Sequence, residues 1–287
     1  MATLEPPIHH HTGYFPSHDQ TSLYYQHWWS DQPTQAVVVI VHGLGAHSDL
    51  FQNVVAALVP AGYHLYALDL RGHGRSSGRR GYINQWGEFR GDVGALLALV
   101  TQEQPTVPYF LMGHSVGGAI VLDYTLRHPE LLQGAIVSNP ALGAISISPV
   151  KLTIARLLSQ IWPTFSLNTG VDNAAGARDP AIVESYNQDP LRHTIGSARL
   201  ATEFLDTAAW IDEHATDLQV PLLLLQSEAD SVTLPQGSER LFDRITIADK
   251  TRKTYPESYH EIYDDQDYPT VLQDVRQWLE QHIPQSI

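Results

Sequence analysis

The chain of 287 residues is 43% hydrophobic and 17% charged, enough to build one large domain or two small ones and too apolar for a disordered or collagen-like chain. Its 17 Lys and Arg against 31 Asp and Glu leave a formal charge of −14; that field repels phosphate backbones, no basic cluster offsets it, and nucleic-acid binding is not expected. The absence of cysteine removes disulfides, zinc–thiolate sites and a thiol nucleophile, and suits a reducing compartment.

No apolar run approaches bilayer-spanning length, the longest being Ala36–Val41 and Val93–Val100. Met1 to Gln20 has no basic start followed by an apolar stretch, so a cytoplasmic protein without a secretory signal is expected. His9, His10 and His11 read as part of a flexible leader. Strands are predicted over Thr21–Trp28, Ala36–Val41, His64–Asp69, Pro108–Gly113, Gly134–Ser138, Val220–Gln226 and Lys250–Tyr255. Helical patterns cover Ser48–Val59, Ile83–Glu103, Ser115–Arg127, Pro235–Phe242 and Tyr268–His282, with Pro60, Gly62 and Pro129 as terminators. Alternating apolar runs and amphipathic stretches predict an α/β fold, a mostly parallel sheet with helices on both faces.

Between Leu142 and about Leu205 the rhythm breaks, with helical patterns and no convincing strand. Lys151–Trp162 places Ile154, Leu157, Leu158 and Ile161 on one face at helical spacing. The block predicts a helical cap, residues 142–205, inserted into a core made of 1–141 and 206–287. That face either packs on the core or lines an apolar substrate tunnel.

The strongest chemical signal is Gly113-His114-Ser115-Val116-Gly117, a G-x-S-x-G pentapeptide. Alone it is weak, expected by chance in about one chain in ten at ordinary glycine usage. Its context strengthens it: the run Tyr109–Met112 precedes the serine, and a helical pattern ending at Pro129 follows. A nucleophile elbow needs such a strand–serine–helix junction, with glycines two residues either side because larger side chains would clash.

A serine hydroxyl needs a histidine base and an orienting carboxylate. In this junction's fold the chain order is serine, acid, histidine. Past the last strand-like runs only His260 and His282 remain. His282 belongs to the terminal helix, whereas His260 lies in a polar loop after the strand ending at Tyr255, the position from which a base reaches across strand ends. For the acid, Glu228 and Asp230 both follow the strand Val220–Gln226, and Asp230 is favoured because it lies further out on the loop. Gly134–Ser138 ends in Asn139-Pro140 and offers no acid there. Val41-His42-Gly43-Leu44-Gly45 also leaves a strand end; the N–H groups of Leu44 and Val116 are the candidate oxyanion donors, each contributing about 3 kcal/mol to the transition state. Asp69-Leu70-Arg71-Gly72-His73-Gly74-Arg75-Ser76 reads as a structural loop, and Asp69 has the wrong order for the acid. No metal-binding spacing appears among the 15 histidines, so neither metal nor cofactor is expected.

These residues resemble the α/β-hydrolase superfamily, and within it the monoacylglycerol lipase and lysophospholipase branch. The likeness rests on HGLGAHSDLF (42–51), LDLRGHGRSSGRRGYI (68–83), GHSVGG (113–118), ARDP (177–180), EADSVTLP (228–235) and YPESYHEIYDD (255–265), spread over almost the whole chain. The resemblance implies Ser115, Asp230 and His260 as catalytic triad, Leu44 and Val116 as oxyanion hole, and a helical cap over an acyl-binding channel; it favours Asp230 over Glu228. The lack of cysteine departs from the vertebrate lipase, so no thiol-directed regulation carries over. The expected activity is serine carboxylester hydrolysis of a single-chain acyl ester, monoacylglycerol first. Alternatives are a lysophospholipase, thioesterase, aminopeptidase, carbon–carbon bond hydrolase or acyltransferase on the same residues, or a binding protein that keeps the scaffold. The expected partner is a small lipid ester, with the cap a candidate for transient membrane-surface contact.

Overall fold

The computed structural model describes residues 6–142 and 149–284. In chain order the elements are β1 (Ile8–Pro16), β2 (Ser22–Ser30), β3 (Ala36–Val41), α1 (Gln52–Leu58), β4 (Tyr63–Leu68), α2 (Gly87–Glu103), β5 (Tyr109–His114), α3 (Val116–Arg127) and β6 (Leu132–Ser138). There follow α4 (Pro149–Ile161), β7 (Ser166–Asn168), α5 (Pro180–Gln188), β8 (Ile195–Ser197) and α6 (Ala198–Glu213). The chain closes with β9 (Leu222–Ser227), α7 (Pro235–Arg244), β10 (Lys250–Tyr255) and α8 (Tyr268–His282). The main sheet has the order β1-β2-β4-β3-β5-β6-β9-β10. β3 to β6, β9 and β10 run parallel to one another, while β2 is antiparallel to both β1 and β4.

Sequence accounts for the layering. Ala36-Val37-Val38-Val39-Ile40-Val41 has no polar residue because both faces of β3 are covered, and every position is buried. Successive side chains alternate between faces: Val37, Val39 and Val41 join the core under α2 and α3 with Leu96 and Ile120. Val38 and Ile40 join the opposite core with Val54, Leu58, Val275, Trp278 and Leu279 of α1 and α8. Each such fully buried aliphatic side chain stabilises the fold by about 1.5–3 kcal/mol. Because the central strands are parallel, their C-terminal ends share one edge of the sheet, and the loops leaving β3, β5, β9 and β10 gather there.

Three expectations are corrected. His9, His10 and His11 are not in a flexible leader but in β1, paired with β2 from Ile8 opposite Ser30 to Pro16 opposite Ser22. The imidazoles serve as flat cross-strand partners: His10 stacks on Trp28 with ring centroids 5.0 Å apart, and His9 stacks on Trp29 at 5.4 Å. The segment between β6 and α6 does contain strand, since β7 and β8 form a small antiparallel pair. Finally, the apolar face of α4 does not pack on the core: Ile154, Leu157 and Ile161 are exposed, and only Leu158 is half-buried. α4 instead lies on α6 through a different side, where the Ser159 and Thr202 hydroxyls are hydrogen-bonded at 2.8 Å and Arg199 donates to the Ser159 carbonyl at 2.8 Å. α6 continues unbroken through position 205, and its Leu200 and Ile211 belong to the main core.

Candidate active site

Ser115 sits between β5 and α3 with φ 56° and ψ −122°, a backbone region that side chains rarely adopt. The turn is held by its neighbours: the Ser115 N–H donates to Ser138 O at 3.0 Å, and the Ser115 carbonyl accepts from Ala141 N at 2.9 Å. The flanking glycines are sterically required. A Cβ on Gly113 would run into the Gly117 carbonyl, and one on Gly117 into the Val41 and His42 carbonyls. This is a nucleophile elbow in its geometry.

The three sequence-predicted triad residues meet here. His260 Nε2 lies 3.0 Å from Ser115 Oγ, and His260 Nδ1 lies 2.7 Å from Asp230 Oδ2. With Nδ1–H donating to the carboxylate, Nε2 presents its lone pair to the serine hydroxyl. Asp230 also accepts from the N–H groups of Val232 at 2.7 Å and Thr233 at 3.0 Å, and from the Thr233 hydroxyl at 2.7 Å. Burial alone would raise the Asp230 carboxyl, but the hydrogen bond and charge of His260, with the Thr233 donors, outweigh it and hold it below its ordinary value. Burial alone would lower the His260 imidazole; the Asp230 carboxylate outweighs that and holds it above its ordinary 6.5. Glu228, the other candidate acid, is exposed, whereas Asp230 is buried.

The loop after β3 lies against the serine, since a Cβ on Gly43 would stand 3.0 Å from Ser115 Cβ. His42 locks this loop: its Nδ1 donates to the Gly43 carbonyl at 2.7 Å and its Nε2 accepts the Leu70 N–H at 2.9 Å. Burial pushes its pKa down to about 3, so the ring is neutral, as that donor–acceptor pairing needs. Leu44 follows Gly43 directly, and Val116 is the first residue of α3, whose N–H has no acceptor one turn back within the helix. The Asp69 loop supports the same strand end: its carboxylate accepts from Ser48 N, Ser48 Oγ and Arg75 N, each at 2.7 Å. Arg71 pairs with Asp92 at 2.6 Å and Asp19 at 2.8 Å.

Sequence reasoning missed several residues that hold these loops together. Asn139, fully buried with φ 42°, donates to the His260 carbonyl at 2.8 Å and to Ser227 Oγ at 2.9 Å, and accepts from Ser227 N at 2.7 Å. Glu261, beside the histidine, pairs with His114 at 3.1 Å and Arg192 at 3.4 Å. Burial would raise its carboxyl, but those partners outweigh it and pull it far below the usual range. A lone polar residue leaves no periodic trace; the only hint was that asparagine tolerates the left-handed backbone found at position 139. Among the described residues there is no group of three or more His, Cys, Asp or Glu arranged to hold a metal ion, and no helix long and apolar enough to cross a membrane.

Sheet order, elbow and loop placement define an α/β-hydrolase, and the enzyme is an ester hydrolase of the lipase and esterase kind. The family model described as serine aminopeptidase, S33 matches residues 32–267, and the chain belongs to that family. A monoacylglycerol lipase of Mycolicibacterium smegmatis is 33% identical to it, over 91% of this chain and 94% of that protein. The monoglyceride lipase of Mus musculus is 29% identical, over 92% of this chain and 89% of its own length. The crystal structure of a monoacylglycerol lipase from Paleococcus ferrophilus superposes with a TM-score of 0.80 at 31% identity, covering 96% of this chain and 99% of that one.

Proposed function

We propose that the chain releases a fatty acid from a single-chain acyl ester, monoacylglycerol before others, through Ser115, His260 and Asp230. The observation that carries this reading is the unbroken hydrogen-bonded series from Ser115 Oγ through the His260 ring to Asp230 Oδ2, at 3.0 and 2.7 Å. Ser115 Oγ attacks the ester carbonyl while its proton passes to His260 Nε2, giving a tetrahedral oxyanion. The N–H groups of Leu44 and Val116 are assigned to that oxyanion. Collapse breaks the ester C–O bond, His260 returns the proton to the departing alcohol, and an acyl-serine remains. A water then loses its proton to His260 and attacks the acyl carbon, releasing the acid and restoring Ser115. Asp230 stays ionised throughout and stabilises the imidazolium.

Monoacylglycerol is favoured for two reasons. Several relatives that match nearly the full chain carry that activity in their names, alongside a phospholipase and a caffeoylshikimate esterase. The formal charge of −14 disfavours anionic lysolipids relative to neutral glycerides. The insertion 142–205 is assigned as a cap over the acyl chain, consistent with its position between β6 and β9 at the edge that carries Ser115. The test is turnover across p-nitrophenyl esters of rising acyl length, with monoacylglycerol and lysophosphatidylcholine alongside. Rising kcat/KM with chain length and preference for monoacylglycerol are expected. Preference for acetyl esters, or no labelling of Ser115 by a fluorophosphonate, would overturn the reading.

A further inference from the structure

The ARDP segment, residues 177–180, belongs to the insertion, yet it grips the loop that carries the base. That loop, between β10 and α8, is drawn shut by two carboxylates. Asp265, fully buried, accepts the Tyr259 N–H at 2.6 Å and the Gln266 N–H at 2.8 Å. Asp267 accepts from the Ser258 hydroxyl at 2.8 Å. Both converge on Arg178. Its Nε donates to the two Asp265 oxygens at 3.1 and 3.0 Å, and its Nη2 donates to Asp267 at 2.6 Å. The Arg178 N–H also donates to Asp265 at 3.0 Å, and Nη1 lies 3.3 Å from the exposed Glu257. Just before it in the chain, the Ala175 carbonyl accepts the His260 N–H at 3.3 Å and the Gly176 carbonyl accepts the Glu261 N–H at 2.8 Å. Residues 175–178 thus hold the loop on both sides of the base.

Removing the guanidinium would leave Asp265 as a buried anion supported only by neutral N–H donors, a costly arrangement that the loop relieves by opening. The imidazole must stay within hydrogen-bond reach of Ser115 and Asp230 together, and a displacement of about 1 Å costs on the order of 10²-fold in rate. We propose that Arg178 is a positioning residue for ester hydrolysis, its planar fork fixing the Asp265 and Asp267 carboxylates that hold Tyr259 and Ser258 across the loop, so that His260 stays aligned between serine and acid. The proposal rests on the reading that Ser115 and His260 do the chemistry. The charged and titratable groups that face the imidazole itself are Asp230 from the loop after β9, Glu261 beside it, Arg192 from the insertion and His114 of the elbow, whose ring is 4.8 Å away. Arg178 acts through the loop backbone.

The experiment compares Arg178→Met and Arg178→Lys with the unaltered enzyme, measuring kcat, KM, the pH dependence of kcat/KM and the thermal midpoint. Arg178→Met is expected to lower kcat by on the order of 10²-fold with KM little changed. Its acid limb should move to lower pH, because a looser contact with Asp230 raises the imidazole less. Arg178→Lys should recover part of kcat, since it restores the charge without the fork. If Arg178→Met fails to fold, Arg178→Lys carries the test through a smaller shift in the same directions. Normal kcat in the variant that folds, or a loss with an unmoved acid limb, would overturn the proposal. Titration of the His260 ring by NMR reads the same displacement without turnover. It therefore separates failure of this inference from failure of the ester-hydrolase reading, which would appear as unaltered enzyme lacking Ser115-dependent turnover.

Discussion

Strands β3, β5 and β9 are buried at every position, whereas α4 in the insertion leaves Ile154, Leu157 and Ile161, with Trp162 just beyond it, more than half exposed. The first region is held by dense apolar packing on two faces of a sheet. The second anchors Leu200 in the main core and adds polar contacts: the Arg178–Asp265 bridge and the Arg192–Glu261 pair tie it to the core, and the Ser159–Thr202 pair ties α4 to α6. Packed sheet interiors fix positions closely because almost any displacement opens a void. Hydrogen-bonded clasps fix direction and charge, and can be exchanged for water. The proposed catalytic groups follow the same division, with Ser115 and Asp230 carried just beyond strand ends and the loop of His260 shared between sheet and insertion.

The largest test of this division is at the strand ends. Ser115→Ala is expected to abolish ester hydrolysis, and Asp230→Asn to lower kcat by on the order of 10³–10⁴-fold with the thermal midpoint little changed. Near-normal turnover in Ser115→Ala would break the assignment of the elbow. Next comes pH. Since the base must be neutral and Asp230 holds His260 above 6.5, activity should fall as pH drops through a value above 6.5, by more than about tenfold at pH 5. A profile flat to pH 5 would mean that this ring is not the base. Packing gives the sharpest contrast between regions. Phe110 is fully buried with its ring 5.9 Å from that of Trp278, so Phe110→Ala should cost about 3–5 kcal/mol in denaturant unfolding. Ile161, 75% exposed, should change stability by no more than about 0.5 kcal/mol on replacement by serine. A large loss at Ile161 would mean that the α4 face is covered in solution.

Much of this was legible in the sequence, for physical reasons that also mark where legibility ends. The all-apolar β3 and the junction around Ser115 announce themselves because a doubly covered strand tolerates no polar residue and a sharp turn tolerates no side chain at 113 or 117. Order along the chain then pointed to His260 and left Glu228 and Asp230 as acids, of which loop position and the family resemblance favoured Asp230, and the structure sets His260 and Asp230 in series with Ser115. β1 was hidden because histidine and threonine carry no apolar alternation, although imidazoles stack on Trp28 and Trp29 as well as a hydrophobic ring would. The periodicity of α4 revealed a stripe but not its partner, because spacing says which residues share a face and nothing about what covers it. Asn139, Thr233 and Arg178 act through contacts with residues far away in the chain or through single short bonds, and neither leaves a pattern.

The twisted main chain at Ser115 has one last consequence. A residue held there carries about 1–3 kcal/mol of strain, which glycine would shed at a cost of about 0.5–1 kcal/mol in added freedom of the unfolded chain. Ser115→Gly is therefore expected to yield an inert protein that survives heating better than the working one, its melting midpoint raised. Reactivity and durability pull in opposite directions at a single pair of dihedral angles.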